Sequence, residues 1–254
     1  MRLPLPLLVA GVAVISFVAC GGGSDSDSDS DAQVIASPSF TVEDAEASAR
    51  GALLSLDDMP KGWTAEPATE EVDEQSDLDL PPQCEVFEDE VEEFKGVAEV
   101  ESDEFAGPEE ELIQSDVTVY ANDELAQQAI DKVRQLVEDC SDPLRDAFKT
   151  LFEEQLAKES EEDLSGLTVS GFSFEIIDFP ELGDETLATR MTFGVQVAGL
   201  IDLDFALDLI GIRTGKVIGG LIYQSFSREP DSDLEDQLAR VIEQRAASAD
   251  ASLE

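Results

Sequence analysis

Histidine is absent from all 254 residues, and 15 basic side chains face 59 acids, for a net charge of −44. Without histidine, neither a Ser-His-Asp triad nor a Cys-His pair can be assembled, and histidine-ligated zinc is excluded as well. The shortage of Lys and Arg excludes nucleic acid as a partner, because phosphate neutralisation needs them clustered. It equally disfavours adsorption to anionic lipid. No G-x-S-x-G, phosphate-binding loop or G-x-G-x-x-G occurs, so no cofactor is implied. Carboxylate chemistry of the glycosidase kind stays open, although no pair stands out among so many acids. Cysteine is scarce at three residues, and there is one tryptophan. Apolar residues still make up 42% of the chain, which is a globular composition rather than a disordered acidic one. The charge reads as solubility, with adaptation to salt or binding of cations or basic partners as the functional alternatives.

What is present begins with a leader. Residues 1–19 carry a single charge, Arg2, ahead of an apolar core from Leu3 to Ala19. That is the layout of a secretory signal peptide, slightly short of the roughly 20 apolar residues a membrane span needs. The run ends in Phe17-Val18-Ala19-Cys20, which resembles the lipobox of bacterial lipoproteins, with Phe17 where leucine is commoner. The resemblance makes Cys20 the first mature residue, carrying diacylglyceryl and palmitate-type acyl chains and holding the protein on the outer face of the cell membrane. Each buried CH₂ would contribute about 0.8 kcal/mol. An uncleaved anchor, or plain secretion with an incidental Cys20, are the other readings. Residues 20–38 form the lipidated cysteine and an acidic Gly/Ser/Asp tether that cannot bury enough surface to fold. Asp25, Asp27, Asp29 and Asp31 imitate a calcium loop, but its turn glycine and its closing glutamate are replaced by Ser30 and Ala36.

About 215 residues follow residue 38, enough for one domain with a sizeable core. The sequence predicts an α+β domain over 39–248: an antiparallel sheet of five to six strands with helices packed on it, then a disordered tail over 249–254. Thr41 can cap a helix through Asp44, with Val42, Ala45, Ala49, Ala52, Leu53 and Leu56 as its buried stripe. Trp63 follows the Pro60-Lys61-Gly62 turn, as either a core plug or part of a ligand cleft.

The run through Leu53, Leu54 and Leu56 into Pro60-Lys61-Gly62-Trp63, the spaced cysteines, Gly183-Asp184-Glu185 and Arg213-Thr214-Gly215 together resemble the extracytoplasmic sensor-type domains of actinobacteria that are similar to the external domain of the PknH kinase. PsbP-like lipoproteins share a similar order of elements. The resemblance implies an α/β sandwich with a ligand cleft.

From Glu66 to Asp116 there are 21 acids and one base, Lys95, which reads as a solvated face or mobile loop. Cys84 nevertheless lies at helical spacing with Phe87, Val91 and Phe94. Cys140 shares a helical face with Leu125, Ala129, Val133 and Leu136 in a helix predicted from about Asp123 to Cys140. Outside the cytoplasm a Cys84–Cys140 disulfide follows, worth about 4 kcal/mol on the chain-entropy model. Pro143 is expected to open a further helix with Leu144, Ala147, Phe148, Leu151, Phe152 and Leu156 inside.

From Leu167 the period becomes two. Joining the strands through Ala198-Gly199-Leu200 pairs Val197 with Ile201, Phe193 with Phe205 and Met191 with Leu207 on the core face. It sets Arg190 against Asp208 on an outer, solvated face, as a pair worth under about 1 kcal/mol. Asp202 and Asp204 are a remote cation candidate. Gly219-Gly220 in the last strand implies close packing or a cavity beneath. Asp231 or Ser232 caps a final helix to about Ala247 carrying Leu234, Leu238, Val241, Ile242 and Arg245.

The resulting functional expectation is a non-enzymatic, membrane-anchored sensor or ligand-binding module. Its partner would be an unidentified small molecule or envelope protein, with Trp63, Gly219 and Gly220 as candidate lining. The alternatives are a carrier of lipid or another apolar ligand, a carboxylate-based hydrolase, and a structural surface protein.

Overall fold

Long runs of alternating apolar residues past Leu167 dictate half-buried strands, and they form the backbone of the domain. The computed structural model describes residues 38–68, 95–159, 167–197, 201–226 and 229–254. In chain order these give α1 (Val42–Ala52), a 3₁₀ turn (Leu56–Asp58), β1 (Thr64–Glu66), β2 (Ala98–Glu101), β3 (Glu104–Ala106), β4 (Glu111–Val119), α2 (Asp123–Glu159), β5 (Leu167–Ile176), β6 (Glu185–Val197), β7 (Ile201–Thr214), β8 (Val217–Phe226) and α3 (Ser232–Ser252). The leader, Cys20, the tether and Cys84 lie outside the described residues.

The fold is α+β. All pairings are antiparallel, in the order β1-β3-β4-β8-β7-β6-β5, with β2 also on β4. The sheet therefore has eight strands rather than five to six. The additions, β1 to β3, span three or four residues each inside the acidic stretch read as a solvated face or loop. Their own side chains do not favour strands; β2 and β3 form because β4, anchored along its whole length to β8, presents them with a fixed ladder.

The β6–β7 register matches the parity argument: Val197↔Ile201, Phe193↔Phe205, Met191↔Leu207 and Arg190↔Asp208. On this face Phe172, Phe193, Phe205 and Phe226 run across four strands, with neighbouring ring centroids 5.9, 4.5 and 5.2 Å apart. Leu136 and Cys140 of α2 pack against them, and further along the same helix Ala126 and Ala129 cover Tyr120.

The opposite face is not solvated as expected. Ile113, Ala188, Ile210, Ile212, Leu221 and Tyr223 meet Leu238, Ala239 and Ile242 of α3. Val117, Val119 and Val217 meet Ala45, Ala49 and Ala52 of α1 together with Ala246 and Ala249. Helices thus close both sides of the central strands.

Several helix boundaries also differ. Thr41 and Asp44 form the capping box, with the Asp44 amide donating to Thr41 Oγ1 at 3.2 Å and the Thr41 amide donating to Asp44 Oδ2 at 3.2 Å. However, Val42, at the first position of α1 (56% exposed), and Leu56, beyond its end at Ala52 (43%), do not join the buried stripe. A single α2 replaces the two predicted helices and contains Pro143; the packing of Leu136 and Cys140 against the sheet just before it, rather than the weak helix formers Asp139 to Asp142, holds the helix past one missing N–H. Finally, α3 runs to Ser252, and Leu253 is buried against α1. Nothing after Ala247 breaks a helix, so the predicted tail over 249–254 is corrected to an ordered, packed terminus.

Candidate functional site

One transverse row of the sheet carries polar residues beneath α3: Tyr223 on β8 pairs with Asp208 on β7, which pairs with Arg190 on β6. Period-two alternation places all three on the α3 side. Asp208 is 0% exposed. Arg190 Nε donates to Asp208 Oδ1 at 2.6 Å, and Nη2 donates to Oδ2, a bidentate fork. These hydrogen bonds raise the guanidinium pKa further. The Tyr223 hydroxyl donates to Oε1 of buried Glu111 at 2.5 Å. From above, α3 lowers Glu235, 2% exposed, onto Asp208. Burial, then the hydrogen bond with Asp208 and that residue's charge, push the Glu235 carboxyl up to about 9. Its Oε1 has no hydrogen-bond partner among the described residues.

Sequence reasoning missed this cluster because Glu235 was not among the residues assigned to the packed face of the final helix. The signal was present: Glu235 precedes Leu238 by three and Ile242 by seven, which is the buried stripe of α3.

A second group of carboxyls lies on the α2 side. Glu101 faces Asp116 across the β2–β4 ladder. Burial, then Asp116 and Glu101, push Glu99 up to about 7 against the pull of Lys95. Burial and Glu101 push Asp116 up to about 6. Tyr120 beside them is raised by burial and then by the Glu99 and Asp116 charges. No group of three or more His, Cys, Asp or Glu among the described residues is arranged to hold a metal ion. Asp204 is exposed.

The candidate lining residues do not share a cavity. A Cβ on Gly219 would collide with Ile242 of α3, whereas one on Gly220 would collide with the Asp116 carboxylate on the opposite face. The two adjacent glycines mark close packing on both sides of the sheet. Trp63 is buried in the α3-side core against Gly107. Cys140 is 1% exposed and is not a free thiol; its expected partner Cys84 lies outside the described residues, and their pairing stands as a proposal.

Gly183-Asp184-Glu185 and Arg213-Thr214-Gly215 do come together. Glu185 pairs with Arg213, the Asp184 amide donates to the Arg213 carbonyl at 2.8 Å, and the Gly215 amide donates to Asp184 Oδ2 at 2.7 Å. Arg134 of α2 reaches Glu185 at 2.5 Å, and Lys216 binds Asp250 of α3 at 2.9 Å. Gly215 (φ +56°) and Gly183 (φ +61°) adopt the left-handed region with no room for a Cβ. The arrangement clamps the β7–β8 turn to both long helices.

No protein-family model and no curated protein matches the chain. Among solved structures it is similar to the extracellular domain of PknH from Mycobacterium tuberculosis, with 10% identity and a TM-score of 0.39 over 79% of this chain and 95% of that one. No helix among the described residues is long and apolar enough to cross a membrane.

Proposed function

We propose that this protein is a lipid-anchored extracytoplasmic module that senses or binds a ligand without catalysing a reaction. The observation that carries it is Phe17-Val18-Ala19-Cys20 at the end of the apolar run Leu3–Ala19, followed at once by Gly21-Gly22-Gly23 and a Ser/Asp tether. Two acyl signals suffice for stable membrane attachment where one does not, and the acidic domain has no basic patch with which to supplement them. A tether of this composition lets the domain stand clear of the surface.

The carboxyls gathered on the α3 side are not placed for hydrolysis. A carboxylate hydrolase needs two acids facing across an open cleft, yet the acids brought together on the α3 side, Asp208 and Glu235, are covered by the helix. The lipid-carrier alternative loses the cavity it placed under Gly219-Gly220, because Ile242 and Asp116 occupy those spaces.

Fractionating cells that produce the wild type and Cys20→Ser tests the anchor: the wild type is expected with membranes and the variant in the soluble extracytoplasmic fraction. Equal partition would refute it. Incubating the protein with cell-envelope extract, followed by mass spectrometry of retained molecules, tests the ligand; repeated empty retention would leave only a structural role.

A further inference from the structure

We infer that Glu235 and Asp208 form a proton-gated latch, which holds the first turns of α3 on the sheet while Glu235 is protonated and lets them go when its proton passes to bulk water.

Two carboxyls meet in a space closed to solvent, and one guanidinium faces them. Arg190 is committed to Asp208 through two donors, one to each oxygen. Glu235 has no cation of its own, since Arg190 attracts it only from its place on Asp208, and its Oε1 is without a donor among the described residues. A charged, unpaired carboxylate in such a place is far costlier than a neutral acid. The cheaper state has Glu235 protonated and donating to Asp208, and burial and the neighbouring carboxylate both act in that direction.

The surrounding groups do not reverse this. On α3 itself Asp231 adds repulsion, and Asp236 is taken by Arg240 at 2.9 Å. Glu229 before the helix adds negative charge near Arg190. From β8 and β4, the Tyr223 hydroxyl and Glu111 are bonded to each other. The N-terminus of α3 favours a carboxylate by about 0.3–1 kcal/mol, which is small against the burial of a charge.

The position of Glu235 converts its protonation into movement. It lies in the first turn and a half of α3, and the N-cap Asp231 is its neighbour toward solvent. The C-terminal half is fixed separately by Ile242, Ala246, Ala249 and the Asp250–Lys216 pair. Ionisation therefore loosens the first turns while the rest stays docked. The closed state carries one proton that the open state gives up, so opening becomes more favourable with each rise in pH. The latch is an element of regulation added to the sensor reading, and it stands whether or not a lipid or ligand is found.

Hydrogen exchange on the full chain, corrected for the intrinsic pH dependence of exchange, reads this directly over residues 233–238. In the wild type, protection should fall by up to about tenfold per pH unit between about pH 6 and 9 and level off beyond. Glu235→Gln, which cannot ionise, should abolish that slope, and Asp116→Asn should retain it. A flat wild-type profile, or an equal slope in Glu235→Gln, overturns the latch. Should Glu235→Gln fail to fold, carboxyl ¹³C NMR of the wild type decides: a Glu235 midpoint above pH 7 supports it, and one in the ordinary glutamate range overturns it.

Discussion

Replacing Arg190 by methionine separates a covered polar row from a solvated one. On an open face the Arg190–Asp208 pair would contribute under about 1 kcal/mol. In the structure Asp208 is 0% exposed and Arg190 supplies donors to both of its oxygens. Methionine keeps the length and apolar body of the arginine stem but leaves Asp208, with Glu235 beside it, without a facing cation. Removing one partner of a buried pair costs about 3–5 kcal/mol, a large share of the 5–15 kcal/mol that a domain typically has. Urea unfolding at pH 7, followed through the single buried tryptophan Trp63, measures the loss as a shift in midpoint at constant slope. The companion Arg190→Met/Asp208→Leu removes the stranded charge and should recover most of the stability. A loss below about 1 kcal/mol in the single variant would refute the covered row, and so would a double variant no better than the single one.

Other consequences are as direct. Gly219→Ala presses a methyl into Ile242 of α3 and should cost about 1–3 kcal/mol by overpacking; Gly220→Ala meets a side-chain carboxylate that can swing away, so thermal melts should show the smaller loss there. Arg245 ties α3 to the turn after α1, donating to Asp58 Oδ1 at 2.7 Å and to the Leu53 carbonyl at 2.5 Å; Arg245→Met should cost about 1–3 kcal/mol in the same assay. Glu235 and Asp116 are raised in the fold, above all by burial, so their stabilising protonation is complete below about pH 4 and is lost as pH climbs to about 9. Asp58 runs the other way: burial works to raise it, but the bonds from Arg245 and Ser55 outweigh burial and lower it, so its contribution is lost in acid below the ordinary aspartate value. Melting temperature at fixed ionic strength should therefore peak near pH 4 and decline toward pH 9, and a rise over that range would contradict the assignment.

The parts legible in the sequence were those with local periodicity. Phe193, Met191, Phe205 and Leu207 alternate with polar neighbours, and parity alone set their register. Thr41 with Asp44 announced the first cap. Less could be read where a partner decides the conformation. β2 and β3 are acidic and short and exist because β4 offers them a ladder. Pro143 follows the helix-start pattern, yet α2 continues through it, held by the packing of Leu136 and Cys140 on the sheet. Asp208 looked solvent-facing because strand alternation shows which residues share a face, not what covers it. Glu235 could have been found from its spacing to Leu238 and Ile242, but its charge argued against burial. The turn at Thr214-Gly215 could be seen, whereas its convergence with Gly183, Arg134 and Asp250 is a property of the tertiary fold.

Anchoring through Cys20 is the step that would make this module a surface protein. Mass spectrometry of the N-terminal peptide of protein extracted from membranes tests it most directly. The expected result is a chain beginning at Cys20 with a diacylglyceryl mass on its sulfur. An N-terminus upstream of Cys20, or an unmodified Cys20, would contradict it.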